Sequence, residues 1–419
     1  MAAKEVEILQ PAFYQRFACI GPACDDNCCH SWPIQVDKAH YLYYRGVREP
    51  AFRELCAASL RRKKKDATPE QYAYIAHPAD GRCPFQDGDG GCRMIRLLGP
   101  DSLCDTCAIY PRRKAQYLPG LWELSLSLSC QEAARLALFS GGPVVFRRLR
   151  REPCPNDPLD RLPPLTTGGR AFLPPPAYGQ PLRQACLALM GRGAYPLPER
   201  ILAIALLLRR AQRLLTEGRP AAIPAMAGQF LAAVDAGEFA GFFRRLDYHR
   251  LLHLKALHLP VLHLLSGARA PVFRRLLDTL LARCVQDPAT GEYRAEEAAL
   301  ELLLEEAAQK GDPVLARHPQ AVENYFVCYL FSGLFPMLYH SRGLTLEENG
   351  VLLAEQYALL RMLLAILPAE EGETEEQRLI RSVVALARIT QHSDLGGALR
   401  VLRGGAGMDE MTQVAYLLR

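Results

Sequence analysis

The sequence predicts a mainly α protein in which a cysteine-rich, metal-binding N-terminal part with irregular loops is followed by an all-α helical domain. Three observations lead there. Ten of the fourteen cysteines precede residue 131. Apolar residues recur at three and four from Gln184 onward, the period of amphipathic helices. Between these regions, residues 153–181 carry nine prolines, which neither continue a helix nor fill a central strand. The expected organisation is a cysteine-rich domain at 1–150, a linker or wrapping loop at 151–182 and a helical domain at 183–419.

A chain of 419 residues exceeds what one hydrophobic core usually fills, so more than one domain is expected. Apolar residues make up 49% and charged residues 23%, which excludes a disordered or fibrous chain. The net charge of +5 is mild, and the basic runs RRKKK (61–65) and RRLRR (147–151) read as solvated surface. No helix-turn-helix, zinc-finger or RNA-recognition spacing accompanies them, so no nucleic-acid partner is expected. Lys4, Glu5 and Glu7 stand where a secretory signal would need an apolar core. The apolar runs at 201–208 and 251–265 are too short, or too interrupted by Lys255 and Pro260, to cross a bilayer. The chain is therefore expected in the cytoplasm, off the membrane, with its thiols reduced.

The N-terminal part lacks sustained periodicity, and turn signals such as PADGRCPFQDGDGGC interrupt it. Something besides apolar burial must organise it. In the helical part, Pro198-Glu199 opens a helix that Gly218 closes, and Pro260 is expected to break another. Further helices are expected at EEAALELLLEEAA, VENYFVCYLFSGLF, LEENGVLLAEQYALLRMLLAI and EEQRLIRSVVALARIT. No fixed repeat period is present, so the helices pack as antiparallel neighbours rather than as a solenoid.

The candidate metal ligands are Cys19, Cys24, Cys28, Cys29, Cys83, Cys92, Cys104, Cys107 and Cys130, of which a subset would serve. They form three local groups: CIGPACDDNCC at 19–29, CPFQDGDGGC at 83–92 and CDTC at 104–107. Disulfides need an oxidising compartment, to which nothing in the sequence points. Core thiols stand singly among apolar residues, whereas these neighbour Asp25, Asp26, Asn27, Asp87, Asp89 and Asp105. Thiolate-rich sites with almost no histidine suit zinc or iron-sulfur clusters. Only Cys104 and Cys107 form a zinc-type knuckle, and the adjacent pair Cys28-Cys29 fits one tetrahedral zinc poorly. A cluster that spreads several irons over ~3 Å accepts such ligands more readily, so iron-sulfur is favoured, with zinc as the alternative. Cys56, Cys154, Cys186, Cys284 and Cys328 read as ordinary buried thiols. His249, His253, His258 and His263 drift around a helix without a metalloprotease glutamate, and read as core or surface residues.

These blocks resemble the flagellin lysine N-methylase family and a wider group of zinc- or iron-chelating proteins with a CxxxCxxCC core. Cys19, Cys24, Cys28, Cys29 and Trp32 match the first block, and Cys83 to Phe85 with Cys92 match the second. Thr106, Cys107, Tyr110, Pro111 and Arg112 match the third, Ser129-Cys130 the fourth, and VENYFVCYLFSGLFP is similar to an E-N-Y helix. The first block runs C-x4-C-x3-CC here, which departs from the wider group. The resemblance implies methyl transfer from S-adenosylmethionine to lysine side chains of flagellin, by an enzyme with an iron-sulfur cluster of 4Fe-4S type. A non-catalytic metal protein, its centre structural and its helices binding a partner, is the alternative.

A doubly wound methyltransferase would present a glycine-rich turn between a strand and a helix, and DGDGGC, TTGG and RGGAG do not stand in that setting. The radical spacing C-x3-C-x2-C begins at Cys24 and Cys28, but Ser31 stands at its third position. Lysine attack requires a neutral amine, which at a pKa of ~10.4 costs roughly 4 to 5 kcal/mol at neutral pH. Candidate groups for that step are Asp25, Asp26, His30 and Tyr110, and Arg112 is the candidate for the cofactor carboxylate.

Overall fold

The computed structural model describes residues 5–24, 28–29, 34–118, 120–154, 157–161, 177–241, 247–267, 278, 282, 284–286, 293–295, 297–334, 344–391 and 408–419. The chain divides into two compact units, the first holding Met1–Leu136 and Phe146–Leu165, the second Ala137–Val145 and most of the chain from Thr166 onward.

In the first unit, strands replace part of the irregular structure the sequence suggests. Strand β1 (Val6–Pro11) alternates so that Ile8 is buried on one face while Glu7 faces Arg148 at 2.8 Å on the other. It lies between β6 (Leu121–Leu126), to which it is parallel, and β7 (Phe146–Arg151), to which it is antiparallel. Strand β5 (Arg112–Leu118) completes the order β5-β6-β1-β7 through a hairpin that turns at Gly120, whose φ of +78° suits glycine. Residues of β1 pair with β6 more than a hundred positions away, so no local hairpin signal announces the sheet. Ile8, Leu124 and Leu159 form its core, each such buried side chain stabilising by about 1.5–3 kcal/mol.

A second sheet, in the order β2-β4-β3, joins Ile34–Val36, Ala73–Ile75 and Leu60–Arg62. Helices α1 (Lys38–Gly46) and α2 (Pro50–Ser59) accompany it, and Tyr44, Phe52 and Phe85 pack together at ring separations of 5.7 and 5.6 Å. The same core contains Cys83 and Cys104, with Cys29, Cys92 and Cys107 packed against it. Helices α3 (Arg93–Leu98) and α4 (Asp105–Ile109) are one or two turns long and come directly after Cys92 and Cys104. Helix α5 (Gln131–Leu138) begins after Cys130, and α6 (Pro158–Arg161) is tied to β5 where Lys114 Nζ donates to the Asp160 carbonyl at 2.9 Å.

The second unit is helical. It contains α7 (Gly179–Met190), α8 (Leu197–Thr216), α9 (Ile223–Asp235), α10 (Arg250–Gly267), α11 (Glu297–Glu306), α12 (Asp312–Arg317), α13 (Pro319–Tyr329), α14 (Leu346–Ile366), α15 (Glu375–Gln391) and α16 (Glu410–Leu417). Pro198 sits in the first turn of α8, where its missing N–H has no intrahelical role. Pro260, expected to break a helix, stands inside α10. One lost hydrogen bond there is opposed by the burial of Leu254, Ala256, Leu257 and Val261 around it.

Helix α14 is buried along nearly its whole length and packs against α8, α15 and α16. It is the one helix among the described residues long and apolar enough to cross a membrane, and 94% of that stretch is buried inside the protein. Gly350 lets it approach α8 closely, since a Cβ there would meet Ala205 at 3.1 Å. The E-N-Y residues of α13 each tie it elsewhere. Glu323 pairs with Arg200 at 2.6 Å, Asn324 receives the Val144 N–H at 3.2 Å, and the Tyr325 hydroxyl donates to Gln356 at 2.9 Å.

Candidate metal centre

The thiol groups are positioned by short turns rather than by long elements. Gly21, with φ of +56°, begins the turn Gly21–Ala23 that leads to Cys24, whose thiol donates to Gln131 Oε1 at 3.4 Å. Cys28 and Cys29 lie in the next turn, and the Cys29 carbonyl accepts the Cys83 N–H at 2.7 Å. Between Cys83 and Cys92 the chain makes a tight hairpin. Gln86 bridges to Cys92, the Asp87 N–H reaches the Gly91 carbonyl at 2.8 Å, and Gly90 takes φ of +84°. The acidic residues of that hairpin are engaged by α3: Arg93 meets Asp87 at 2.6 Å and Arg96 pairs with both Asp87 and Asp89.

Cys104 precedes α4 and is fully buried, its Sγ lying 3.7 Å from the Gln35 carbonyl, which also accepts the Thr106 hydroxyl at 2.7 Å. The Asp105 N–H donates to Asp37 at 3.3 Å. The CDTC knuckle is thus fastened to β2 and to the start of α1. Cys130 opens α5, preceded by a hydroxyl chain in which Tyr110 meets Ser129 at 3.1 Å and Ser129 meets Ser127 at 2.7 Å.

Several of the sequence-predicted ligands bear electrostatically on one another. Burial above all pushes the Cys83 thiol up to about 11, and Cys92, Cys28 and Cys104 add to the shift. Burial likewise raises Cys92, with Cys28 and Asp87 contributing. The Cys107 thiol hydrogen-bonds that of Cys104, which lowers Cys104 and raises Cys107, and Cys28 and Cys83 raise Cys107 further. Cys130 is pushed up to about 11 by burial, with Cys28 and Cys19 adding. Charge on Cys28 contributes to the raised thiols of Cys83, Cys92, Cys107 and Cys130. Burial and mutual repulsion oppose several thiolates in one place, and a bound cation reverses both effects. Thiols are the soft donors that zinc ions and iron-sulfur clusters take.

Of the other candidates, Tyr110 bonds Ser129, beside Cys130. The Arg112 guanidinium lies 5.0 Å from the centre of the Phe17 ring and has no carboxylate partner among the described residues. Asp25, Asp26 and His30 lie outside the described residues, as does Trp32. Cys56, Cys186 and Cys328 are buried, and burial raises each thiol. Cys154 is exposed, contrary to expectation, because its backbone N–H and not its thiol is engaged, donating to Asp160 at 2.7 Å. Cys284 lies in a three-residue strand, Cys284–Gln286. His253 is buried and His249 exposed.

Sequence reasoning missed Asp37 and His40, which with Asp105 place donor atoms within 4.8 Å of one another. Asp37 caps α1 through the His40 N–H at 2.9 Å and meets the His40 ring at 2.7 Å. Although burial opposes its charge, hydrogen bonds from His40 and Asp105 hold the Asp37 carboxyl at about 2. The local signal was an aspartate placed as an N-cap ahead of Lys38.

A family model described as FliB lysine N-methylase C-terminal domain matches residues 183–417. Lysine-N-methylase of Salmonella typhimurium is 35% identical over 130 residues, 31% of this chain and 32% of that protein. Lysine-N-methylase of Salmonella choleraesuis matches to the same extent, 35% over 130 residues and 32% of its length. Flagellar biosynthetic protein FliU of Salmonella muenchen is 35% identical over 130 residues, which are 75% of that protein. The match thus spans about a third of the length of the two lysine-N-methylases. No solved structure matches the chain.

Proposed function

Because the chain belongs to the FliB lysine N-methylase family, we propose that it transfers a methyl group from S-adenosylmethionine to lysine side chains of flagellin in the cytoplasm. What supports this reading most is the match of residues 183–417 to the lysine N-methylase family model, beside a first unit in which Cys83 and Cys104 share one core with Cys29, Cys92 and Cys107 packed against it. A subset of the nine candidate cysteines holds an iron-sulfur cluster of 4Fe-4S type, with zinc as the alternative. Bound there, such a cluster supplies redox-active or Lewis-acidic iron and also fastens the turns that carry its ligands.

The rest falls to this chain's own side chains. The lysine amine must lose its proton, at a cost of roughly 4 to 5 kcal/mol at neutral pH unless burial or a base lowers it. Tyr110, together with Asp25, Asp26 and His30, is the group proposed to take or orient that proton. Arg112 is the group proposed to hold the carboxylate of the methyl donor.

One observation favours a second reading, a purely structural metal with the helical unit binding a partner. Cys83 and Cys104 lie inside a hydrophobic core, where a metal would act as a staple. Anaerobically purified protein, incubated with flagellin and methyl-labelled S-adenosylmethionine, separates the two. Methyl-lysine found by mass spectrometry supports the enzyme; no methylation by protein that retains its metal overturns it.

A further inference from the structure

We infer that the outer face of the β2-β4-β3 sheet, with the basic run that follows β3, docks an acidic polypeptide segment of a partner protein. The inference stands apart from the thiols and from methyl transfer. Residues 37–75 hold nine lysines and arginines against five aspartates and glutamates, which gives +4 of the chain's net +5. None of the nine forms an ion pair among the described residues. Elsewhere in this unit Arg93, Arg96, Arg148 and Arg151 each meet a carboxylate. Cations gathered without counter-charges repel one another, and a polyanionic partner relieves that cost.

Strand register sets Gln35, Tyr74 and Arg61 side by side across the sheet. Ala73 and Ile75 are buried, so the period of two turns Tyr74 outward, where it is 38% exposed. Beyond β3 the Lys63 N–H donates to the Tyr72 carbonyl at 3.1 Å, which holds the basic run along the sheet edge. Arg62, Lys64 and Lys65 are exposed there. Lys38, the first residue of α1, returns to the same edge, its N–H donating to the Pro69 carbonyl at 2.8 Å. Its ammonium and the Arg62 guanidinium both lie over the Tyr72 ring, 5.8 and 5.0 Å from the ring centre. Two cations from distant parts of the sequence are thus fixed on one ring.

Charge complementarity and the use of the rings decide the partner's chemistry. A guanidinium fork matches a carboxylate in two parallel hydrogen bonds, and ammonium groups beside it take further carboxylates along an extended chain. Single-stranded nucleic acid needs a run of open rings on which successive bases stack. Tyr72 is already engaged by Lys38, by Arg62 and by the edge of Tyr41 at 5.2 Å. That leaves Tyr74 as the open ring among the described residues of the sheet face, which suits carboxylates better than bases.

The test is fluorescence anisotropy of the full-length protein with a labelled peptide of alternating glutamate and serine, and with oligothymidylate and phosphatidylserine vesicles as competitors. Two double reversals carry the same change of charge: Arg62→Glu with Lys65→Glu on this face, and Arg147→Glu with Arg150→Glu on β7, where both side chains are also exposed. Arg61 is left in place, because its guanidinium donates to the Ala57 carbonyl at the end of α2 at 3.0 Å. Wild-type protein is expected to bind the peptide, more weakly as salt is added. The first variant should bind about tenfold more weakly and the second within ~twofold of wild type, both with unchanged circular dichroism. No binding by wild type, equal loss in both variants, or tighter binding of the oligonucleotide or the vesicles than of the peptide overturns the inference. Should the first variant not fold, Lys64→Ala with Lys65→Ala decides by the same comparison. None of these outcomes bears on methyl transfer.

Discussion

One oxygen of the Asp37 carboxylate meets the His40 ring at 2.7 Å and accepts the Asp105 N–H at 3.3 Å, joining the start of α1 to the CDTC knuckle. The other oxygen caps α1 through the His40 N–H at 2.9 Å. Asparagine in place of Asp37 keeps a good cap but presents an amide N–H₂ where the knuckle needs an acceptor. Asp37→Asn is expected to melt within a few degrees of wild type while losing metal to a chelator several-fold faster, followed by absorbance. Asp37→Ala removes the cap as well and is expected to cost about 1–2 kcal/mol in urea unfolding.

His253 is buried, its ring packed edge-on to Tyr248 and tilted against Tyr416. Burial first, then the cations Arg361 and Arg419, lower it from 6.5 to about 4. A depressed histidine binds its proton more readily when unfolded, so its stabilising contribution is present above pH ~6.5 and is lost as pH falls toward ~4. The full window is worth about 3 kcal/mol. Thermal melts should therefore fall over that range, and His253→Phe should flatten the fall.

Helix α14, the centre of the helical unit, begins with Thr345, whose side chain accepts the Glu348 N–H at 3.1 Å while Glu348 accepts the Thr345 N–H in return. Losing the hydroxyl in Thr345→Ala should cost ~1 kcal/mol, and Thr345→Ser should restore most of it. Urea midpoints at constant slope measure both.

Asn324 is 1% exposed and clamps the segment after α5, receiving the Val144 N–H at 3.2 Å and donating to the Gly142 carbonyl at 2.9 Å. Asn324→Leu leaves both backbone groups without this partner, at about 1–3 kcal/mol. Limited proteolysis should show new cleavage within 138–144 while the helices keep their circular dichroism signal.

The reach of each signal along the chain decided what was legible in the sequence. The helical unit could be read because α8 and α15 carry their 3.6-residue pattern within one segment. The thiols proposed as metal ligands could be picked out because residue type and short spacing define them, as in CDTC. The four-stranded sheet was hidden, since β1 finds its partner β6 only in three dimensions. Asp37 and His40 escaped because their meeting with Asp105 depends on how α1 and the knuckle pack. Pro260 misled because the local cost of proline was weighed without the burial around it. The E-N-Y segment was read as a helix through its resemblance, while its three polar ties, to Arg200, Val144 and Gln356, join residues far apart in the chain.

The central claim is that the N-terminal thiols form a metal centre, and the most direct test is iron, zinc and acid-labile sulfide content, measured with the visible spectrum on protein purified without oxygen. The account predicts a coloured protein with iron and sulfide, or a colourless one with stoichiometric zinc, and loss of that metal on Cys83→Ser. Folded protein that carries no metal, with every N-terminal thiol open to alkylation, would contradict it.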